Sequence, residues 1–251
     1  MIALLHGAAY PLRALGVLRA TPRLWRYVAV PILVNLVVAA VLYTVLLMAG
    51  LRAVDRLVAG LTGPAALLGA VLRLAVVVSL LVVVGLLLAR LGIVLGAPWY
   101  GRLSERLETM LLGAPAPAQP LTARGVVGDL GRALGFEARK LALVATVGLG
   151  LLLANLLPVA GQLVAAAGGL GLGALVSCLD FFDGPLERRR WTFRAKLAYV
   201  RRALPASAGF GLACVALLAV PLLNLLAIPL CVAAGTLFVC ERRPLLPPPP
   251  R

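Results

Sequence analysis

Two arginines near the N-terminus are the first candidates for chemistry. Arg23 and Arg26 lie three positions apart, just before the uncharged run from Tyr27 to Leu51. A helix N-terminus offers free N–H groups and a partial positive charge, and guanidinium groups bind oxyanions through paired hydrogen bonds. The spacing therefore suits a tetrahedral oxyanion. The alternative is that these arginines and Trp25 anchor the helix among lipid headgroups.

Amide side chains inside the apolar runs form a second group of candidates: Asn35, Asn155, Gln162 and Asn224. Gln162 and Asn224 follow Pro158 and Pro221, where a new helix would begin inside the membrane. In a water-filled cavity such helix ends attract an anion, so we take Asn35, Gln162 and Asn224 as candidate pore-lining residues. The alternative is that these amides form interhelical hydrogen bonds, each worth about 1 kcal/mol.

Catalytic and metal-binding patterns are absent from the sequence. The single histidine, His6, has no histidine partner, and all the acidic residues lie outside the long apolar runs. This argues against an intramembrane proton relay or acid–base pair. The four cysteines lie in or next to apolar segments, and none forms a Cys-x-x-Cys pair: Cys178, Cys214, Cys231 and Cys240. This predicts small buried hydrophobic residues and neither a metal site nor a disulfide framework. We expect no enzyme, no cofactor and no metal.

The elements that must position these residues are membrane helices. The 251-residue chain is 62% hydrophobic and only 13% charged, whereas about 25% charge is typical of globular domains. The net charge of +15 does not indicate nucleic-acid binding, because the basic residues flank apolar runs and form no domain of their own.

Four apolar segments define the predicted architecture. Residues 27–51 and 71–97 are long enough to span a bilayer. Residues 141–179 and 206–240 are uncharged runs of 39 and 35 residues, each broken by a proline near its middle. Their arms would be about 22–26 Å long as helices, short of the ~30 Å hydrocarbon core, so each run predicts a hairpin that enters the membrane and returns.

The fold class predicted is therefore an all-α integral membrane protein. It has two long transmembrane helices, two short-armed helical hairpins and cytoplasmic amphipathic helices, the first of them within residues 1–26. Residues 1–241 form one membrane domain, and residues 242–251 form a Pro-rich disordered tail. Of the 24 Lys and Arg residues, 21 lie in the two termini and in segments 90–140 and 180–205, which places both termini in the cytoplasm. Residues 188–190, three arginines, are interpreted as an orientation signal that also contacts anionic lipids.

Four stretches carry a resemblance to a known family: residues 22–35, 97–108, 180–193 and 209–229. They contain Pro22-Arg23-Leu24-Trp25-Arg26-Tyr27-Val28, Ala97-Pro98-Trp99-Tyr100, the Asp180–Asp183 segment before Pro185-Leu186, and Val220-Pro221-Leu222-Leu223-Asn224-Leu225-Leu226. Together they resemble the CysZ family, grouped with the etoposide-induced-protein-like membrane proteins, over about residues 10–241.

The resemblance implies a bacterial inner-membrane protein that lets sulfate into the cytoplasm for cysteine synthesis and assembles as a homo-oligomer. It also implies an anion site in a Gly-Leu-Arg-Arg-like motif. The matching positions here are Arg23, Leu24, Trp25 and Arg26, of which Leu24 and Arg26 keep the family's residues.

The resulting hypothesis is a membrane permease or channel for an inorganic oxyanion, with sulfate as the first candidate. Arg23, Leu24 and Arg26 would bind the anion, and the expected partners are the anion, membrane lipids and further copies of the chain. The alternative is a non-transporting scaffold or lipid-interacting protein that uses its basic cytoplasmic segments.

Overall fold

The structure is a computed structural model that describes residues 1–59, 65–113, 123–220 and 224–242. In these ranges the chain is helical and contains no β-strand, which confirms the all-α prediction. The helices are α1 (Ile2–Ala8), α2 (Tyr10–Ala20), a 3₁₀ helix (Pro22–Leu24), α3 (Arg26–Val58), α4 (Ala65–Leu112), α5 (Ala123–Ala154), α6 (Ala160–Glu187), α7 (Phe193–Arg202), α8 (Ala206–Ala219) and α9 (Asn224–Glu241).

Several helices have the length and composition of membrane spans. Three described segments are long and apolar enough to cross a bilayer, namely Pro22–Val58, Leu67–Val84 and Ala160–Glu187. Helices α7 and α8, bent by 103° at the break between them, would together make a fourth, and Leu226–Glu241 is a shorter apolar helix. Large apolar side chains are exposed along the first two spans, as lipid-facing residues must be: Leu33, Val37, Val41, Val45, Leu74, Val78 and Leu81. The molecule is a multi-pass membrane protein.

The described residues fall into two units. The first unit comprises Met1–Trp25 and Gly101–Arg251, and the second comprises Arg26–Tyr100. Inside the second unit, Asp55 of α3 accepts two hydrogen bonds from Arg73 of α4, at 2.8 and 3.2 Å. Helix α4 passes through Pro98 without interruption, so the predicted span 71–97 is one part of a longer helix.

The first unit is built around α6. This helix packs against α5, α8 and α9, while α1 packs on α8 and α2 packs on α9. The completely buried Phe182 lies at the centre, with its ring 4.7 Å from that of Phe238, 4.8 Å from Phe210 and 5.9 Å from Tyr199. The four cysteines named above are buried in this unit as free thiols, as expected for small apolar residues.

Close packing of α8 depends on glycine. A Cβ atom on Gly209 would lie 1.9 Å from the carbonyl oxygen of Leu4, and one on Gly211 would lie 2.2 Å from the carbonyl oxygen of Ala174. Both distances are far below any real contact, so only a residue without a side chain lets α1 and α6 come this near.

The N-terminal segment differs from the single surface helix that its pattern suggested. It forms α1, α2 and the 3₁₀ helix, and its apolar positions Tyr10, Ala14 and Leu18 are buried. Their burial accompanies the packing of α2 on α9. The apolar positions whose spacing predicted a surface helix are Leu4, Leu5, Ala8, Leu12, Leu15 and Leu18. Of these Leu18 is buried, whereas Leu5 and Leu12 are exposed, so the buried face and the predicted face differ.

The first predicted hairpin is confirmed in its position. Helix α5 ends at Ala154 and α6 begins at Ala160, so the break surrounds Pro158, and Val159 has a positive φ of 60°. The arms are longer than predicted: α5 includes the polar residues 129–140, and α6 continues through Pro185 to Glu187. At 28 residues, α6 exceeds the short arm predicted and has the length of a full span.

The second hairpin is described on both sides of its turn. Helix α8 ends at Ala219 and α9 begins at Asn224, whereas Pro221, Leu222 and Leu223 lie outside the described residues, as do residues 114–122 and residues 243–251 of the predicted tail. The assignment of residues 1–241 to a single membrane domain remains a prediction.

Candidate anion-binding site

The first two predicted anion-binding residues lie in the short 3₁₀ helix of the first unit. The N–H of Leu24 donates to the carbonyl of Thr21 at 3.0 Å, and the N–H of Trp25 donates to that of Pro22 at 3.1 Å. Leu24 is only 3% exposed, whereas Arg23 is exposed. The turn is therefore held by a buried leucine and presents Arg23 at the surface.

The third residue, Arg26, opens α3 in the second unit. Its Nη2 donates to the hydroxyl of Tyr27 at 2.7 Å, and its guanidinium carbon lies 4.7 Å from the centre of the Tyr27 ring. Within the described ranges, neither Arg23 nor Arg26 pairs with a carboxylate. Arg26 thus lies in the first turn of a 33-residue helix, and neither guanidinium group is neutralised by a carboxylate of the described residues.

The three candidate pore-lining residues have different surroundings. Asn35 lies in the third turn of α3 and is 5% exposed. Gln162 is exposed in the first turn of α6, directly after the break at Pro158. Asn224 is the first residue of α9, and its side chain lies outside the described part. Gln162 and Asn224 therefore occupy the helix starts that the sequence predicted, and the function of all three residues remains a hypothesis.

Sequence reasoning missed a buried charged cluster in the first unit. Glu108 is completely buried and accepts hydrogen bonds from Arg188 Nε at 2.9 Å, from Arg188 Nη2 at 2.6 Å, and from Arg189. Arg188 also donates to the hydroxyl of Ser104 at 2.8 Å, and the hydroxyl of Thr236 donates to Ser104 at 2.8 Å. The cluster joins α4, α9 and the end of α6.

This cluster gives part of the three-arginine segment a structural role. Two of its members, Arg188 and Arg189, hold Glu108, while orientation and lipid contact by the segment remain predictions. A sequence signal for the cluster existed: Ser104 and Glu108 are four residues apart and so share a helix face, and the adjacent Leu103 and Leu107 are buried. Without the partner helix, that polar pair could not be distinguished from a solvated one.

A second ion cluster connects α5, α6 and α7. Lys196 is 1% exposed, and its Nζ donates to Asp183 and Glu187 at 2.5 Å each. Glu187 also accepts from Arg132 Nε at 3.3 Å. Since each buried charge has an oppositely charged partner, the cluster meets the condition under which charges are tolerated away from water.

A third ion pair links α5 to α6 next to the first hairpin. Lys140 donates to Asp180 at 2.6 Å and to Glu137 at 2.8 Å. Burial by itself would lower the pKa of Lys140, but these two carboxylates outweigh it and hold the pKa above its usual value. The lysine therefore stays protonated at neutral pH and keeps both carboxylates neutralised.

Comparison with known proteins settles the family. The sequence model of the family described as Sulfate transporter CysZ/Etoposide-induced protein 2.4 matches residues 10–229. The chain belongs to this family. The match extends from α2 into the first turns of α9 and so includes the first hairpin and the outgoing arm of the second, and it confirms the resemblance inferred from the four sequence stretches.

Individual members of the CysZ family give the same result at moderate identity. A protein of Pseudomonas fluorescens (strain Pf-5) named sulfate transporter CysZ is 31% identical over 150 residues, which cover 60% of this chain and 59% of that protein. A sulfate transporter CysZ of Pseudomonas aeruginosa (strain PAO1) is 28% identical over 217 residues, 86% of this chain and 87% of the relative. The sulfate transporter CysZ of Salmonella typhimurium is 28% identical over 142 residues, which cover 57% of this chain and 55% of that protein. Against the P. fluorescens and S. typhimurium relatives, the chain thus spans less than two thirds of their length.

Proposed function

We propose that this protein lets sulfate cross the bacterial inner membrane into the cytoplasm, as a permease or channel that carries out no catalytic chemistry. The observation that carries the proposal is the family match over residues 10–229, together with a relative named sulfate transporter that aligns with 86% of the chain. The all-helical membrane architecture is consistent with passage of an ion. Both termini lie in the cytoplasm, in keeping with the distribution of Lys and Arg.

In this proposal Arg23, Leu24 and Arg26 form the entrance site for the anion. Leu24 anchors the 3₁₀ helix through its burial, while the exposed Arg23 and Arg26 attract sulfate by charge and by hydrogen bonding. The start of α3 adds the partial positive charge of a helix N-terminus. Support comes from the finding that both guanidinium groups lack a carboxylate partner in the described ranges.

The path itself is formed by the hairpins of several copies of the chain. Asn35, Gln162 and Asn224 line it and replace part of the hydration shell of the anion with amide N–H groups. The exposed apolar residues of the first hairpin are then covered by lipid or by a neighbouring copy: Leu149, Leu152, Leu153, Leu156, Leu157 and Leu163.

A liposome assay with radiolabelled sulfate tests the proposal. The purified chain should raise sulfate uptake above that of empty liposomes, and Arg26→Ala should reduce it about tenfold, since a charged hydrogen bond is worth roughly 1.5–3 kcal/mol. The matched control is Arg19→Ala, which removes another exposed arginine one helix earlier and should leave uptake unchanged. Uptake no faster than that of empty liposomes would contradict sulfate transport, and equal uptake by both variants would contradict the entrance site.

The alternative of a non-transporting lipid-binding scaffold loses its main support. It depended on arginines 188–190 contacting anionic headgroups; two of the three, Arg188 and Arg189, are bonded to Glu108, which leaves Arg190 as the exposed member of the segment. Transport is therefore the function that we carry forward.

A further inference from the structure

A cavity separate from the predicted entrance site lies within the first unit, where α5 meets the end of α6 and the start of α7. Its volume is about 370 Å³. The charged side chains that line it are four cations and one carboxylate: Arg132, Arg139, Arg190, Lys196 and Glu187. We propose that this cavity binds an oxyanion group of the phosphate or sulfate type.

The charge of the lining is the first argument. Lys196 and Arg132 share Glu187, and Lys196 is further balanced by Asp183. Arg139 differs from them because it is exposed and makes no ion pair within the described chain. A guanidinium group that faces a cavity without a carboxylate partner is suited to an oxyanion, which accepts two parallel N–H donors.

One further donor and a helix N-terminus lie at the same place. Trp191 lines the cavity and is 5% exposed, and its buried indole N–H has no acceptor among the described residues. The next residue, Thr192, is the N-cap of the ten-residue helix α7 and accepts from the N–H of Ala195 at 3.4 Å. An unmatched donor and a helix N-terminus both add positive potential to a wall that is already cationic.

Glycines on α5 leave the space that a ligand needs. Gly128, Gly131 and Gly135 line the cavity at spacings of three and four residues, so they lie on one helix face. A Cβ atom on Gly131 would meet no atom within 4 Å, and one on Gly135 would meet only Nη1 of Arg139, at 3.9 Å. Unlike Gly209, these glycines are not required for packing between helices, and a side chain placed there would occupy the cavity.

The same oxyanion chemistry is supplied by free inorganic ions and by anionic lipid headgroups, and both sources belong to one test. The proposal does not rest on sulfate transport, because binding is measured without a gradient or flux. Loss of uptake in the liposome assay therefore leaves it unaffected, and loss of binding leaves transport unaffected.

The experiment uses the full chain in nanodiscs of phosphatidylcholine. Calorimetric titration with sodium sulfate and sodium phosphate, at ionic strength held constant with chloride, should show saturable binding that Arg139→Gln weakens about tenfold. Arg202→Gln, at the other end of α7 and also exposed, is the matched charge control and should bind as the unmodified chain does. To exclude binding at the proposed entrance site, every titration is made in an Arg26→Gln background. There Gly131→Leu should abolish the remaining binding without removing a charge, whereas Gly148→Leu, which also meets open space on α5, should not.

A second experiment compares the unmodified chain and the same glycine variants for binding of phosphatidylglycerol. Native mass spectrometry should show retained phosphatidylglycerol on the unmodified chain and on Gly148→Leu, but not on Gly131→Leu, if a headgroup is the ligand. Specific binding of either the ions or the lipid supports the proposal and identifies the source. Binding of neither, or binding that Gly131→Leu and Arg139→Gln leave unchanged, would overturn it.

Discussion

Glu108 of α4 and Arg188 at the end of α6 are joined by two hydrogen bonds, at 2.9 and 2.6 Å, although 80 residues separate them in sequence. The carboxylate is completely buried, and Arg189 also donates to it. A buried carboxylate is tolerated only when cations and hydrogen bonds replace its hydration. The two arginines therefore complete the interior of the first unit.

Removal of the Glu108 carboxylate should destabilise the protein strongly. Glu108→Ala leaves two guanidinium groups facing a buried site without a counter-charge, which costs about 3–5 kcal/mol in comparable cases. We expect a clear fall in the midpoint of thermal unfolding, followed by tryptophan fluorescence in detergent. The unfolding midpoint of Glu108→Gln, which keeps a hydrogen-bond acceptor, should lie between those of the unmodified protein and Glu108→Ala.

The control for that substitution is Glu105→Ala. Glu105 is three residues earlier on the same helix and exposed, so its loss should change the midpoint by little. If both alanine variants unfolded at the same temperature, the cluster would contribute nothing to stability.

A methyl group on Gly209 should separate α1 from α8. The added Cβ would lie 1.9 Å from the Leu4 carbonyl oxygen, and a backbone atom cannot rotate away as a side chain can. We therefore expect Gly209→Ala to lower the free energy of unfolding by at least about 1–3 kcal/mol, the usual cost of overpacking. Gly148→Ala meets nothing within 4 Å and should be neutral or slightly stabilising through helix propensity.

Thermal unfolding of these two glycine variants checks the packing, and proteolysis near residue 9 checks the mechanism. Gly209→Ala should expose the short connection between α1 and α2 to cleavage, whereas Gly148→Ala should not. Equal midpoints and equal cleavage would show that α1 does not need the close approach.

Restoring the family motif should strengthen anion recruitment. Trp25 occupies the position of the motif's first arginine and is 37% exposed, so an arginine side chain can be accommodated there. Trp25→Arg should increase sulfate uptake at low sulfate concentration several-fold, since a third guanidinium, next to Arg23 and Arg26, adds a charge-assisted hydrogen bond.

The comparison for that variant is Trp25→Gln, which removes the indole without adding charge. The half-saturating sulfate concentration, measured in liposomes, should fall for Trp25→Arg alone. A fall of the same size in both variants would mean that loss of the tryptophan, and not the added cation, caused the effect.

Much of the architecture could be predicted because its causes are local. A run without charge is driven into lipid wherever it lies in the chain, and proline weakens a helix locally through its missing N–H and its ring, although α4 continues through Pro98. The break at Pro158 and the helical character of both long spans follow from these facts. The family assignment also depends on short contiguous stretches, which is why four motifs were sufficient for it.

The charged residues were predicted less well because their environment depends on distant residues. Arginines 188–190 have the composition of a lipid-facing segment, and no local signal identifies Glu108 as the partner of two of them. The cavity beside Trp191 is likewise formed by three helices, and its glycines on α5 have no predictive pattern by themselves.

By itself, then, the sequence determined that this is a helical membrane protein of the CysZ family, where its hairpins break, and which exposed arginines precede the first span. Only the tertiary structure decided which charges are buried together and how near α1 and α6 approach α8. It also placed Arg139, which makes no ion pair in the described chain, at an open cavity. The physical reason is that partition into lipid and helix termination depend on neighbouring residues, whereas the stability of a charge depends on whatever folding places beside it.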